Sequence, residues 1–146
     1  SMYMYTGDER VKSFYDTVEA YLPTKKCTMT IYGTQWGDLK RNFCIDTSYT
    51  NYLAFLMGDW GYTVINVPDN PQDMTCLVIK DSYGNALLPY LVDHYSTIYE
   101  IDPRYWTDLD FINYIASVGA DDVIFAHNMM TISSGTLVGY ISKVIK

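Results

Sequence analysis

The chain has 146 residues, enough for one domain with its own core, and 49% apolar against 18% charged residues excludes a disordered segment. A net charge of −7 argues against a nucleic-acid partner, because such a surface repels a phosphate backbone. No apolar run approaches the roughly 18 residues of a membrane span.

In chain order, Asp8 to Leu22 sets Val11, Phe14, Tyr15, Val18 and Leu22 at helical spacing, with Pro23 as the stop. Cys27 to Tyr32 alternates apolar and polar residues and predicts a half-buried strand; Gly33 and Gly37 bracket a turn. Tyr49 to Met57 predicts a short apolar helix halted at Gly58, and Tyr62 to Val67 another strand, followed by the loop Pro68-Asp69-Asn70-Pro71.

From residue 75 onward strand and helix alternate. Cys76–Lys80 is a short apolar strand of the kind buried on both faces. Asn85 can cap a helix from Ala86 to about Tyr95, in which Pro89 falls in the first turn, where its missing N–H has no intrahelical partner. Thr97–Ile101 is the next strand. Thr107 caps a helix with Asp108 and Asp110 in its first turn, with Leu109, Ile112, Ile115 and Val118 inward and Gly119 as its stop. Val123–Ala126 is a third strand, and Ser133 or Ser134 opens a last helix with Leu137, Ile141, Val144 and Ile145 inward. The order βαβαβα with short links predicts an α/β fold: a three-layer, flavodoxin-like parallel sheet over residues 75–146, preceded by a mixed α+β part.

Ligands of such sheets bind beyond the carboxyl ends of the strands. The residues there are Asp81 and Ser82 after the first parallel strand, Asp102, Arg104 and Tyr105 after the second, and His127 and Asn128 after the third. Ser82 stands ahead of a helix start, where free N–H groups near Ser82 and Gly84 favour a developing oxyanion. Serine there is more often a cap than a nucleophile, and both readings stand. In a doubly wound order the second and third strands flank the first and His127 reaches the site; in a sequential order it lies about 10 Å away. Asp93-His94 looks like an acid–base pair, but a helix of about ten residues puts it roughly 15 Å from Ser82. Cys27, Cys44 and Cys76 with two histidines make no zinc pattern, so neither metal nor cofactor is expected; Cys27 and Cys76 read as buried thiols.

The stretch "VIKDSYGNALLPYLVDHYSTIYEIDPRYW" resembles the C-terminal half of the DHHW family, a bacterial group with an SGNH-hydrolase-like domain related to alginate O-acetyltransferase domains. The match runs through Lys80-Asp81-Ser82-Tyr83, Asn85-Ala86-Leu87, Pro89-Tyr90-Leu91 and Ile101-Asp102-Pro103-Arg104-Tyr105, and "DTVEAYLP" and "TSYTNYLAFLMGDWGYTVINV" look like the segment upstream. The resemblance implies one SGNH-like domain, or the C-terminal portion of one, over residues 1–146. It implies an extracellular or cell-surface setting and a serine esterase or O-acyltransferase acting on acylated carbohydrate, with Ser82 at the nucleophile position. Those families carry an Asp/His base motif well upstream of the serine, and this chain does not: it is a fragment whose base lies on an absent N-terminal segment, or a member that lost the base. His127 is the base candidate on this chain, and Gly84, Asn85, Asp102 and Arg104 are the substrate and oxyanion candidates. The alternative is a non-catalytic binding or structural domain in which tyrosines and Trp36, Trp60 and Trp106 hold glycan or protein.

Overall fold

A computed structural model describes residues 7–14, 17–106, 111–133, 135, 138–139 and 142. Six strands form one mixed sheet: β1 (Thr28–Thr34), β2 (Gly37–Arg41), β3 (Tyr62–Asn66), β4 (Thr75–Lys80), β5 (Thr97–Ile101) and β6 (Asp122–Ala126), in the order β2-β1-β3-β5-β4-β6. Only β5, β4 and β6 are mutually parallel; β3 runs antiparallel to β5, and β1 antiparallel to both its neighbours. The expected parallel sheet is thus half of a mixed one. The earlier strands join its edge through β3, which pairs antiparallel with β5 from Tyr62↔Ile101 to Asn66↔Thr97. Three bounded helices lie among the described residues, α1 (Leu88–Leu91), α2 (Phe111–Val118) and α3 (Met129–Ser133), each following one parallel strand.

β4 is central to the parallel part and every residue from Cys76 to Lys80 is buried, as its unbroken apolar run predicts. Alternate side chains enter two cores. Cys76 and Val78 join Met29, Ile31, Ile65, Ile98, Leu88 and Val92 on one face, while Leu77, Ile79 and Ile101 pack on the other with Tyr62, Tyr99, Trp106 and Tyr114.

Four local expectations are corrected. Among the described residues of 8–22 the one helical element is a five-residue 3-10 turn, Glu9–Ser13, capped by the Asp8 carboxylate; Phe14, Val18 and Leu22 are exposed, so they pack no stripe of the kind a helix would need. Tyr15 lies outside the described residues. Between 49 and 57 there is one 3-10 turn, Tyr52–Ala54, after which Leu56 and Met57 take positive φ (56° and 58°) and Phe55 bridges back to Ile45. Its apolar run serves three consecutive buried residues, Ala54, Phe55 and Leu56, instead of a helical face. The turn bracketed by Gly33 and Gly37 is present at Gln35–Trp36, but it leads into an unexpected strand, β2, a polar edge strand whose exposed faces leave no apolar alternation to read. The helix at 86–95 is broken into a 3-10 turn, Ser82–Ala86, and the short α1, with Pro89 in its first turn; its cap is Asp81, not Asn85.

Gly119 does stop α2 with φ 61°. Thr107, Asp108, Leu109 and Asp110, the side chains of Ile112 and Ile115, and Ser134, Leu137, Ile141, Val144 and Ile145 lie outside the described residues. An unexpected short helix, Met129–Ser133, follows β6 and is capped by Asn128: Thr131 N–H donates to Asn128 Oδ1 at 2.9 Å. Within the expected last helix the described residues Val138, Gly139 and Ser142 are helical.

Candidate active site

The tip of β4 turns because a carboxylate replaces the strand's backbone partners. Asp81 Oδ1 accepts from Tyr83 N–H (2.9 Å), its carbonyl accepts from Gly84 N–H (2.9 Å), and the chain curls into the turn that Ser82 opens. Asp81 Oδ2 accepts from both the backbone and side-chain N–H groups of Asn128, each at 2.9 Å, which ties the tip of β4 to the tip of β6. Burial pushes this carboxyl up, but the bonds from Asn128 and Tyr83 outweigh it and hold it below the usual aspartate value.

Ser82 is half-buried at that tip, and its hydroxyl has no hydrogen-bond partner among the described residues. The turn beneath it is held by Tyr52. The Tyr52 hydroxyl lies 2.9 Å from both the Ser82 and Tyr83 carbonyl oxygens and accepts from Ala86 N–H at 3.3 Å. The N–H groups of Tyr83 and Gly84, two of those an oxyanion would meet, are engaged by Asp81 in this state.

Gly84 is needed for space. A Cβ there would sit 2.6 Å from Lys80 Cβ and 2.9 Å from Lys80 Cδ, because the turn rests on the Lys80 stem. Gly84→Ala is therefore expected to cost about 1–3 kcal/mol, read as a lower urea midpoint at unchanged m-value. The Lys80 ammonium lies 2.8 Å from Glu100 Oε1 and 3.9 Å from Asp102 Oδ2, with all three side chains fully buried; the 2.8 Å contact pairs charges without hydrogen-bonding angles. Burial pushes the Glu100 carboxyl up, and Lys80 pulls against it.

Register brings the other strand ends level with Asp81, since Ile79 pairs with Ile101 and Lys80 with Ala126. Buried Asp102 accepts from Arg104 N–H at 3.0 Å and grips the guanidinium with both oxygens. Asp102 thereby raises the Arg104 pKa further. Arg104 also reaches Asp59 Oδ2 (3.2 Å) and lies over the Tyr105 ring at 5.2 Å. Asn85 donates to Gly58 O at 3.1 Å and to Asp59 Oδ1 at 2.9 Å.

The His127 side chain is 4% exposed. Its Nδ1 stands 3.9 Å from Asp81 Oδ2, too far for a hydrogen bond, and neither ring nitrogen has a partner among the described residues. Burial lowers its pKa below the ordinary value, with the Asp81 charge opposing, so the ring is neutral near pH 7.

The structure brings Ser82, Asn85, Asp102, Arg104 and His127 to one edge of the sheet, with Gly84 in support beneath. It does not bring Asp93-His94 there. Asp93 instead accepts from Thr24 and Lys25 N–H groups at 3.0–3.1 Å, fixing the segment before β1, and His94 is exposed. Two site residues escape a reading of the sequence, Tyr52 in a 3-10 turn and Asp59 in a loop; the one signal is a charged residue inside Gly58-Asp59-Trp60-Gly61. Beside Asp59 opens a cleft of about 400 Å³ lined by the rings of Tyr32, Trp60, Tyr62, Tyr105 and Trp106; Trp36 lies apart, exposed in the β1–β2 turn. Among the described residues no group of three or more His, Cys, Asp or Glu side chains is arranged to hold a metal, and no helix is long and apolar enough to cross a membrane.

Similar proteins share the fold. A DHHW family protein from Eubacterium siraeum DSM 15702 is 26% identical and superposes with a TM-score of 0.82 over 99% of this chain and 50% of that one. This chain therefore spans half the length of that relative. Bacillus cereus PatB1, 20% identical, shares the fold: its structure with a sulfonyl adduct has a TM-score of 0.63 over 75% of this chain and 39% of that one, and a second PatB1 structure 0.65 over 80% and 43%. No curated protein matches the sequence. The family model described as DHHW protein matches residues 1–101, more than two thirds of the length, and the chain belongs to that family.

Proposed function

We propose that this chain carries the nucleophile half of an SGNH-like serine esterase or O-acyltransferase acting on acylated carbohydrate. The observation that carries the reading is Ser82: half-exposed, hydroxyl unengaged, on a pinned turn at the end of a buried strand whose two neighbours deliver His127 and Asp102 to the same edge. A neutral imidazole is the form that accepts a proton. In the proposed step the Ser82 Oγ attacks the acyl carbonyl and its proton passes to His127 or to a base outside this chain. The sugar oxygen then leaves with a proton, and water or an acceptor hydroxyl takes the acyl group from the serine. The aromatic cleft beside Asp59 suits a sugar, whose C–H faces pack on aromatic rings, and Asn85 and Arg104 both bond to Asp59 in its lining. The sulfonyl adduct of PatB1 is consistent with a relative that bears a reactive nucleophile. An extracellular or cell-surface setting goes with this substrate.

Turnover by this chain alone is expected to be weak. No hydrogen bond links Asp81, His127 and Ser82 into a relay, and a general base contributes about 10²–10⁴-fold. The test is hydrolysis of an activated acetyl ester by the wild type, Ser82→Ala and His127→Ala. The reading expects a small rate above buffer, abolished by Ser82→Ala and reduced by His127→Ala; equal rates in wild type and Ser82→Ala would contradict it. The idle His127 and engaged N–H groups favour a second reading, a non-catalytic domain that binds glycan in the same cleft, and equal rates would support that one.

A further inference from the structure

The three cysteines are free and buried. Two of them are neighbours. The β1–β2 ladder pairs Met29 with Arg41, Thr30 with Lys40 and Ile31 with Leu39. Cys27 directly precedes β1 and Cys44 lies three residues past the end of β2, so both sit at the open end of this hairpin. Both side chains enter the same core, Cys27 at 7% and Cys44 at 1% exposure, close enough for each thiol to act on the other. Cys76 lies three strands away along the sheet, roughly 14 Å at the usual spacing, well beyond the ~7 Å Cα separation a disulfide bridges. Tyr95 packs against the part of the core that holds Cys76.

We propose that Cys27 and Cys44 are a redox site that closes into an intramolecular disulfide by exchange with a small external disulfide, while Cys76 stays reduced. The Cys27 thiolate attacks one sulfur of the incoming disulfide, whose S–S bond breaks and whose other sulfur leaves and takes up a proton. Cys44 then loses its proton and attacks the Cys27 sulfur of the mixed disulfide, releasing the second thiol. Two S–H bonds and one S–S bond break, one S–S and two S–H bonds form, and two electrons pass from the pair to the external disulfide. The order follows from the effect of each thiol on the other. The Cys44 S–H supports a Cys27 thiolate and lowers that thiol, while the same pairing and burial push Cys44 up. Cys27 also adjoins the exposed segment 17–26, and Cys44 lies deeper. The bond would join the open end of the β1–β2 hairpin to the loop that leads to Tyr52, the side chain under the Ser82 turn. None of this depends on the esterase reading.

The reduced chain is equilibrated with oxidised glutathione, trapped with an alkylating agent in denaturant, and mapped by mass. The expected result is a fall from three alkylated cysteines to one, a non-reduced peptide pair joining Cys27 to Cys44, and a melting temperature about 5–10 °C higher. Cys44→Ala should stop at a glutathione adduct on Cys27. Three alkylated cysteines after equilibration, or a linkage containing Cys76, would overturn the proposal, and the wild-type map decides this even where a variant folds poorly.

Discussion

Replacing Lys80 by methionine is expected to destabilise the fold by about 3–5 kcal/mol, because it leaves a buried carboxylate without its cation. Lys80, Glu100 and Asp102 have no exposure, and Lys80 Nζ is the cation 2.8 Å from Glu100 and 3.9 Å from Asp102. A loss of that size approaches the whole stability of an ordinary domain. Removing the second charge with it, in Lys80→Met/Glu100→Gln, should recover part of the loss, since the two sites are coupled. Urea midpoints of the two single variants and the double variant measure this. Equal, additive losses would show that the pair does not interact. The wild type should also show the sign of the Glu100 shift. A carboxyl raised by folding contributes stability that is fully present below its ordinary value of 4.5 and is lost as pH rises toward the raised one. Glu100→Gln should flatten that fall.

Asp81→Ala is expected to cost about 3 kcal/mol, with three hydrogen bonds to a charged group lost together. Two of these hold the tip of β6 and one starts the Ser82 turn, so the effect reaches both the fold and the site. The pH sign is opposite to that of Glu100. A carboxyl held below its ordinary value of 3.8 contributes stability that is present above that value and lost as pH falls through the lowered one. Asp81→Asn should lose less than Asp81→Ala at neutral pH and should remove this acid limb. Chemical denaturation across the acid range checks both, and an unchanged acid limb in Asp81→Asn would show that another carboxylate carries it.

The parallel half was legible because its strands are buried on both faces. An apolar run such as Cys76-Leu77-Val78-Ile79 has few alternatives, and β5 and β6 follow at crossover length. The edge carrying Ser82, Asp102 and His127 was legible for the same reason, since strand ends are fixed once the strands are. β2 was not, because a wet edge strand carries no alternation. The segment 49–57 misled because it buries Ala54, Phe55 and Leu56 in sequence through a positive-φ corner, a backbone choice that side-chain spacing does not encode. Tyr52 and Asp59 act on partners 26 to 45 residues away, so only the folded chain reveals them. Asn85 sits on the expected turn but does not cap it, since its amide faces Asp59 and the Asp81 carboxylate supplies the cap.

The most direct test of the account is covalent labelling of the wild-type chain with a fluorophosphonate, followed by intact mass and peptide mapping. The account predicts one slow adduct per chain, on Ser82, absent in Ser82→Ala and slower in His127→Ala as the neutral imidazole is removed. An unlabelled chain under conditions where it is folded, or an adduct mapped to any other residue, would contradict the assignment of Ser82 as the nucleophile.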